Sequence, residues 1–162
     1  MDLLPRVDFR RVRLTDPDAL RLVEEVQQEY VARYGGRDET PLEPEVFDEP
    51  RGALFLGYVD GAPVVSGGWR LRDDVDALGS TRTAEVKRMY VVPSSRGLGL
   101  ARLMLAHLET TAQAAGAVVM VLETGLQQPE AVALYESSGY EQIPGFGHYA
   151  WSPSNRCYAR RL

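Results

Sequence analysis

The sequence is poor in metal-binding and disulfide-forming residues, with one cysteine, Cys157, and two histidines among 162 residues. A single cysteine excludes a framework of internal disulfides, and so few ligands cannot build a metal site from histidine and cysteine. No apolar run approaches the ~20 residues that cross a membrane, and the first residues lack the basic and apolar regions of a signal peptide. We therefore expect a cytoplasmic protein with no bound metal and no membrane partner.

Basic charge is also scarce. The net charge is −5 at neutral pH, so no general basic field would attract nucleic acid. Hydrophobic residues make up 44% and charged residues 25% of the chain, which is typical of a soluble globular protein. The chain has no internal repeat and no low-complexity linker, so residues 1–162 are predicted to form a single domain.

The periodicity of apolar residues predicts an α/β architecture. Asp60-Gly61 is a strong hairpin signal between two apolar, strand-like runs. Further strands are predicted at 9–14, 83–92, 117–123, 140–143 and 156–162. Helices are predicted at 17–34, 97–115 and 129–138, with at most one short helix in the loop 37–50. Because strands precede the two later helices, the sheet should be of mixed direction with helices on both faces.

The segment from Val91 to Leu105, VVPSSRGLGLARLML, joins a strand to a helix through a turn that contains two glycines. Gly97 and Gly99 have no side chain, so an anion can approach the backbone amides there. The following helix directs unpaired N–H groups and the positive end of its dipole at the same point. This pattern predicts a phosphate-binding turn, although a helix start without a ligand has the same pattern.

A second segment, LETGLQQPEAVALYESSGY at 122–140, gives the turn a family context. Together the two segments resemble the GNAT superfamily of acyl-CoA-dependent N-acyltransferases. The pyrophosphate turn of that family, R/Q-x-x-G-x-G/A, is matched from Arg96 to Ala101, and KRMYVVP looks like its fourth strand. Its later motif, A-x-x-L-Y-x-x-x-G-Y/F, is matched at Ala131, Leu134, Tyr135, Gly139 and Tyr140.

The resemblance implies a fold and a donor. The fold is α/β (α+β), with a mixed, mostly antiparallel sheet of about six to seven strands, splayed fourth and fifth strands and about four flanking helices. The donor is acetyl-CoA, with its pantetheine arm along the fourth strand, where a bulge would direct an N–H at the thioester carbonyl. Gln128 stands where many members have asparagine. The residues expected at the donor are Met89, Tyr90, Val91, Arg96, Gly97, Leu98, Gly99, Leu100, Ala101, Gln128 and Tyr135.

The resemblance assigns the proton donor, and strand positions suggest candidates for the general base. Tyr135 resembles the family tyrosine that protonates the departing thiolate, and a structural core tyrosine is the alternative. Glu85 is the first candidate for the general base, and strand alternation would place it on one face with Lys87 and Met89. A surface pairing of Glu85 with Lys87 is the alternative, and Glu123 is the rival base.

The acceptor side is less defined in the sequence. Contacts to the acceptor are expected from Glu123, Arg70, Arg88 and His148, and the two arginines would suit a carboxylate, as in an amino acid. We expect an N-acetyltransferase that transfers acetyl directly to the primary amine of a small molecule in a ternary complex, as a monomer or homodimer. A non-catalytic acyl-CoA sensor of the same fold is the alternative, and the presence of Tyr135 favours the enzyme.

Overall fold

The computed structural model describes residues 5–40 and 43–162. The strands are β1 (Asp8–Val12), β2 (Gly52–Val59), β3 (Ala62–Leu71), β4 (Thr83–Val91), β5 (Val119–Gly125), β6 (Glu141–Ile143) and β7 (Asn155–Arg161). The α-helices are α1 (Pro17–Tyr34), α2 (Leu100–Ala114) and α3 (Pro129–Ser137). Single 3-10 turns lie at Pro44–Phe47 and Pro93–Ser95.

All seven strands form one sheet in the order β1-β2-β3-β4-β5-β7-β6. Neighbouring strands are antiparallel except β4 and β5, which are parallel. These two strands pair only between 83–85 and 119–121, so they diverge beyond Glu85 and leave a gap in the sheet. The expected mixed sheet of six to seven strands, with splayed strands four and five, is confirmed.

Helix α1 begins and ends where its capping chemistry predicts. The side chain of Asp16 accepts hydrogen bonds from the first-turn N–H groups of α1, and Gly35 ends that helix in a left-handed conformation with φ of 78°. Helix α2 begins at Leu100 rather than at residue 97, because Gly97 and Gly99 both have φ near +80°. Within the described residues there are three α-helices instead of about four, since the 37–50 loop forms only a 3-10 turn.

The helices cover opposite faces of the sheet. Helix α2 packs Met104, Leu105 and Leu108 on one face, together with buried side chains such as Val86. Helix α1 packs on the other face, where its Val26 belongs to the same apolar cluster as Tyr90. Within residues 5–40 and 43–162, no helix has the length and hydropathy that crossing a membrane requires.

Strand β4 contains a β-bulge at Arg88. Ser66 of β3 is opposite Tyr90 and Gly68 is opposite Lys87, so the single residue between them on β3 is opposite two residues of β4. Arg88 has φ of 59°, in the left-handed region, and its carbonyl accepts a hydrogen bond of 2.9 Å from the Ser66 hydroxyl. The extra residue reverses the alternation of side chains along the rest of the strand.

The bulge corrects one prediction from strand alternation. Met89 was expected on the same face as Glu85 and Lys87, but it packs with the α2 cluster. Tyr90, the next residue, packs with the α1 cluster. Alternation fails here because two residues of β4 share one position of the partner strand.

Candidate active site

A cleft of about 960 Å³ lies where β4 and β5 diverge. One wall is the edge of β4 from Val86 to Val91, and the opposite wall is β5 from Leu122 to Gly125 together with the start of α3. The C-terminal half of α1 and the residues that follow it line a third side. The cleft therefore joins three regions: the glycine turn, the diverging strands and a group of charged side chains.

The glycine turn forms one end of the cleft. Gly97 has φ of 82°, and a Cβ atom added there would meet no atom within 4 Å. The first intrahelical bond of this helix runs from Leu103 N–H to the Gly99 carbonyl at 3.1 Å, so the amides of residues 100–102 have no partner within the helix. No side chain caps this N-terminus. The turn thus presents free backbone donors in open space, as anion binding requires.

Ion pairs and hydrogen bonds link α1 to the two walls of the cleft. The Arg96 guanidinium contacts the Glu29 carboxylate of α1 and donates to the Val91 carbonyl at 3.0 Å. On the opposite wall, Arg33 pairs with Glu130 at 2.6 Å. Arg96 is therefore already placed at the mouth of the turn, where it can exchange its carboxylate partner for a phosphate.

Tyr135 lies on α3 and lines the cleft. Its side chain is 7% exposed and packs edge-on against Tyr140, with 5.8 Å between ring centroids. Burial raises the pKa of the Tyr135 phenol to about 12. Among the described residues no hydrogen-bond partner occupies its hydroxyl. Tyr135 therefore carries a proton at neutral pH and presents it to the cleft.

A group of charged side chains forms the other end, and we call it the Asp38 cluster: Asp38, Lys87 and Arg88. The Oδ2 atom of Asp38 accepts from Arg88 Nη1 at 2.6 Å and from Lys87 Nζ at 3.4 Å. Its Oδ1 atom accepts from the Thr40 N–H at 2.9 Å. Burial opposes ionisation of Asp38, but together Lys87 and Arg88 outweigh it and hold the pKa of this carboxyl well below its ordinary value.

Glu123 projects from β5 on the opposite wall. Burial raises the pKa of the Glu123 carboxyl above its ordinary value. The negative charges of Glu85 and Asp38 act in the same direction, whereas the charge of Lys87 lowers the pKa. Asn155 Nδ2 lies 3.4 Å from Glu123 Oε2. Glu123 is thus a cleft carboxylate with increased proton affinity.

Glu85 has a different environment. It is 1% exposed, and its Oε1 atom accepts from Arg70 Nε at 2.8 Å and from Arg72 Nη1 at 2.7 Å. It does not belong to the lining of the cleft. Two guanidinium groups pair with this buried carboxylate, and it is not presented to the cleft. The expected alternative, a pairing with Lys87, is replaced by these two arginines, because Lys87 contacts Asp38.

Most of the residues singled out from the sequence meet in this one cleft. Those that line it are Arg88, Met89, Tyr90, Val91, Arg96, Gly97, Gly99, Leu100, Ala101, Glu123, Gln128 and Tyr135. Those that do not line it are Arg70, Glu85, Leu98 and His148. Arg70 is occupied by Glu85, Leu98 is 50% exposed beside the turn, and His148 is exposed with its ring edge-on to Tyr149.

Sequence reasoning missed Asp38, which comes from one of two loops that meet at the cleft. Asp38 follows α1, and its backbone exchanges two hydrogen bonds with the Gln27 side chain, at 2.8 and 3.3 Å. Tyr149 precedes β7, and its hydroxyl accepts from the Glu39 N–H at 2.7 Å. No motif identifies these residues, since their position depends on the packing of two loops that are 110 residues apart.

The geometry defines a class of protein before any comparison. A sheet splayed at two parallel strands, a glycine turn with free helix amides at the opening and a protonated tyrosine between the walls are the features of an acyl-CoA-dependent N-acyltransferase. Residues 21–140 match the model of the acetyltransferase (GNAT) family. The chain belongs to this family, and it is an acyltransferase. The family uses acetyl-CoA as its acyl donor.

Individual relatives extend the similarity over nearly the whole chain. An IAA acetyltransferase of Azospirillum brasilense is 29% identical over 150 residues, which cover 93% of this chain and 94% of that protein. The uncharacterized N-acetyltransferase YjgM of Escherichia coli is 29% identical over 144 residues, with 83% and 82% covered. The crystal structure of the GNAT domain of S. lividans PAT has a TM-score of 0.74 at 16% identity, covering 100% of this chain and 96% of that one. At this identity, the similarity to the S. lividans domain shows a shared fold and nothing further.

Proposed function

We propose that this protein transfers the acetyl group of acetyl-CoA directly to the primary amine of a small molecule within a ternary complex. One observation carries the proposal. The protonated hydroxyl of Tyr135 lies in the same cleft as the free amides of the glycine turn and the Glu123 carboxylate. An anion site, a proton donor and a proton acceptor are the three groups that acetyl transfer from a thioester to an amine requires.

The donor half of the cleft fits coenzyme A. The amides of residues 100–102 and the open space at Gly97 suit the pyrophosphate, and Arg96 adds a cation beside them. Beyond Glu85, the edge of β4 has no partner from β5, so it suits the amide groups of pantetheine as an added strand would. When bound, acetyl-CoA supplies an activated thioester carbonyl.

Tyr135 is the proposed general acid. With its pKa raised to about 12, its phenol keeps its proton at neutral pH and gives it up only to a strong base at close range. The thiolate that leaves during the transfer is such a base, and it would form beside the Tyr135 hydroxyl if pantetheine follows β4.

Glu123 is the proposed general base, in preference to Glu85. An attacking amine must lose a proton, and a carboxylate with a raised pKa removes it more readily than an ordinary one. Glu123 lines the cleft, whereas Glu85 is held by Arg70 and Arg72 outside the lining. The direct route therefore runs from the amine to Glu123.

A small acceptor is supported by the contacts at the charged end of the cleft. The hydrogen bond between Glu39 and Tyr149 joins the loop after α1 to the loop before β7. Lys87 and Arg88, with side chains 6% exposed, pair with Asp38, the residue before Glu39. A free amino compound can reach that depth more easily than a side chain of a folded protein.

The test is Tyr135→Phe, with Tyr140→Phe as the matched control. Loss of a general acid should lower kcat by roughly 10²–10⁴-fold, while the Kd of acetyl-CoA from calorimetry stays unchanged. The Tyr140 hydroxyl bonds to Glu109 at 2.9 Å and lies outside the cleft lining, so its removal should affect stability more than kcat. A Tyr135→Phe variant with the wild-type kcat would show that Tyr135 is not the general acid. Binding of acetyl-CoA without thiol release for any amine would favour the non-catalytic sensor.

A further inference from the structure

The bulge in β4 brings two consecutive cations to one carboxylate. In a regular strand, Lys87 and Arg88 would point to opposite faces of the sheet. Because Arg88 adopts φ of 59°, its guanidinium reaches the same face as Lys87, and both contact Asp38 Oδ2. The arrangement depends on the left-handed conformation of a single residue, which Ser66 stabilises through the Arg88 carbonyl.

This arrangement has an energetic cost. A residue other than glycine is strained when it is held at positive φ, and burying a guanidinium is unfavourable unless it is paired. Lys87 alone could neutralise Asp38, so the second cation is not needed to balance that charge. Strain of this kind accumulates at binding sites, where the surrounding structure maintains it.

Asp38 accepts hydrogen bonds from only some of the donors of the two cations. Its Oδ1 atom is occupied by Thr40 N–H, and its Oδ2 atom is shared between Arg88 at 2.6 Å and Lys87 at 3.4 Å. Of the five donors of a guanidinium, only Nη1 of Arg88 makes a hydrogen bond among the described residues. In direct contact, one carboxylate is therefore shared by two cations, and both cations line the cleft.

The opposite wall carries the complementary charge. Glu123 lies on β5 and lines the same cleft, and the charges of Lys87 and Asp38 both act on its carboxyl. The cleft thus presents cations from β4 and an anion from β5. A ligand that carries a carboxylate next to an amine matches both, because the carboxylate completes the pairing of Arg88 while the amine approaches Glu123.

We propose that the acceptor is a small amino carboxylate, whose carboxylate binds Arg88 and Lys87 and whose amine lies at Glu123. This inference rests on the proposed function and names the class of its acceptor. Asp38 then acts as a positioning residue: it holds the two cations on one face of β4 and is itself fixed by Gln27 of α1. The acceptor carboxylate adds the second negative charge that Asp38 alone does not provide.

The experiment compares matched acceptors by thiol release at saturating acetyl-CoA. Phenylalanine, histidine and lysine are each compared with the decarboxylated amine and with the α-carboxamide. The amine of the carboxamide is less basic than that of the amino acid, and the amine of the decarboxylated compound is more basic. We expect kcat/KM to be at least tenfold higher for one or more of the amino acids than for both of its analogues. Because the basicity of the amino acid lies between those of its two analogues, a dependence on amine basicity alone cannot make the amino acid a better acceptor than both.

Variants then locate the preference. In Arg88→Gln and in Lys87→Gln, the preference should fall toward unity through a higher acceptor KM, with the Kd of acetyl-CoA unchanged. Arg10→Gln is the matched control, because Arg10 is 55% exposed on β1 and outside the cleft. It should keep the wild-type preference. Arg88→Lys retains the positive charge but lacks the planar donor geometry of a guanidinium, so it should recover part of the preference for amino acids.

Three outcomes separate the inferences. Equal use of amino acids and decarboxylated amines by the wild type would overturn the carboxylate site and leave the acetyltransferase proposal intact. Retention of the preference in both Arg88→Gln and Lys87→Gln, with folding verified by thermal unfolding, would also overturn the site. Acetyl-CoA binding without transfer to any amine would overturn the proposed function, and the acceptor class with it.

Discussion

At the scale of single residues, the two glutamates of the diverging strands show how surroundings divide roles between like side chains. Glu85 faces two guanidinium groups at 2.7–2.8 Å. Glu123 has one long contact to Asn155, and burial is the largest influence on its carboxyl. Both carboxylates are near the gap in the sheet, but only Glu123 lines the cleft.

The pH dependence of the reaction follows from this difference. A general base acts when it is deprotonated, so kcat/KM should rise with pH through the pKa of Glu123, above the ordinary value of a carboxyl. No decline from Tyr135 should occur until pH nears its pKa of about 12. Glu123→Gln should lower kcat by roughly 10²–10⁴-fold at neutral pH and abolish the acidic limb of the profile. Initial rates across pH, with one fixed amine, measure both effects.

Glu85→Gln is the informative comparison. It should keep the acidic limb, although it leaves Arg70 and Arg72 without their buried partner and should lower the free energy of unfolding. An acidic limb that survives in Glu123→Gln and disappears in Glu85→Gln would assign the base to Glu85 instead.

The sequence anticipates residues that belong to a motif and misses those that depend on the packing of distant loops. Tyr135, Arg96 and Gly97 lie in segments with a recognisable pattern, and all three line the cleft. Asp38 carries no such pattern. The contact between Asp38 and Arg88 spans 50 positions and also depends on a bulge, which hydrophobic alternation cannot reveal.

At the scale of elements, the strands and helices follow the period of their apolar residues closely. The hairpin at Asp60-Gly61 forms as expected, with φ of 50° and 80° at the two turn residues. Predictions from this period are wrong where the backbone conformation interrupts it, as at the start of α2 and at the bulge of β4. The 3-10 turn in the 37–50 loop is likewise set by packing, because its Phe47 is 1% exposed beneath the sheet.

This 3-10 turn provides a stability prediction. A Cβ atom at Gly52, at the start of β2, would lie 2.0 Å from the Val46 carbonyl oxygen and 2.9 Å from both Phe47 Cα and the Trp69 carbonyl oxygen. All three are backbone atoms, so relief requires moving the turn or a strand. Gly52→Ala should therefore lower the free energy of unfolding by about 1–3 kcal/mol or more.

Gly36→Ala is the matched control for this substitution. Its Cβ would meet no atom within 4 Å, and its φ is not in the left-handed region. It should be neutral or stabilise by up to ~1 kcal/mol, through the lower entropy of the unfolded chain. Urea denaturation of both variants gives the comparison, and equal stabilities would contradict the packing of Gly52 against the turn.

At the scale of the whole molecule, one sheet carries a gap that separates two groups of strands. Three residue pairs join β4 to β5, while α1 bridges the gap through Arg96 with Glu29 on one side and Arg33 with Glu130 on the other. A ligand that binds the glycine turn and the β4 edge occupies this gap. It should stabilise the folded molecule by mass action, by about 2.7 kcal/mol at a free concentration of 100 times its Kd.

Two glycines with the same conformation test whether a ligand bound at the glycine turn stabilises the fold. Gly97 and Gly61 have φ of 82° and 80°, and a Cβ at either would meet no atom within 4 Å. Gly97→Trp and Gly61→Trp should therefore pay a similar backbone cost of roughly 1–2 kcal/mol, but only Gly97 lines the cleft. Thermal unfolding with increasing coenzyme A should raise the Tm of the wild type and of Gly61→Trp, and leave Gly97→Trp unchanged. A full shift in Gly97→Trp would mean that the pyrophosphate binds away from this turn.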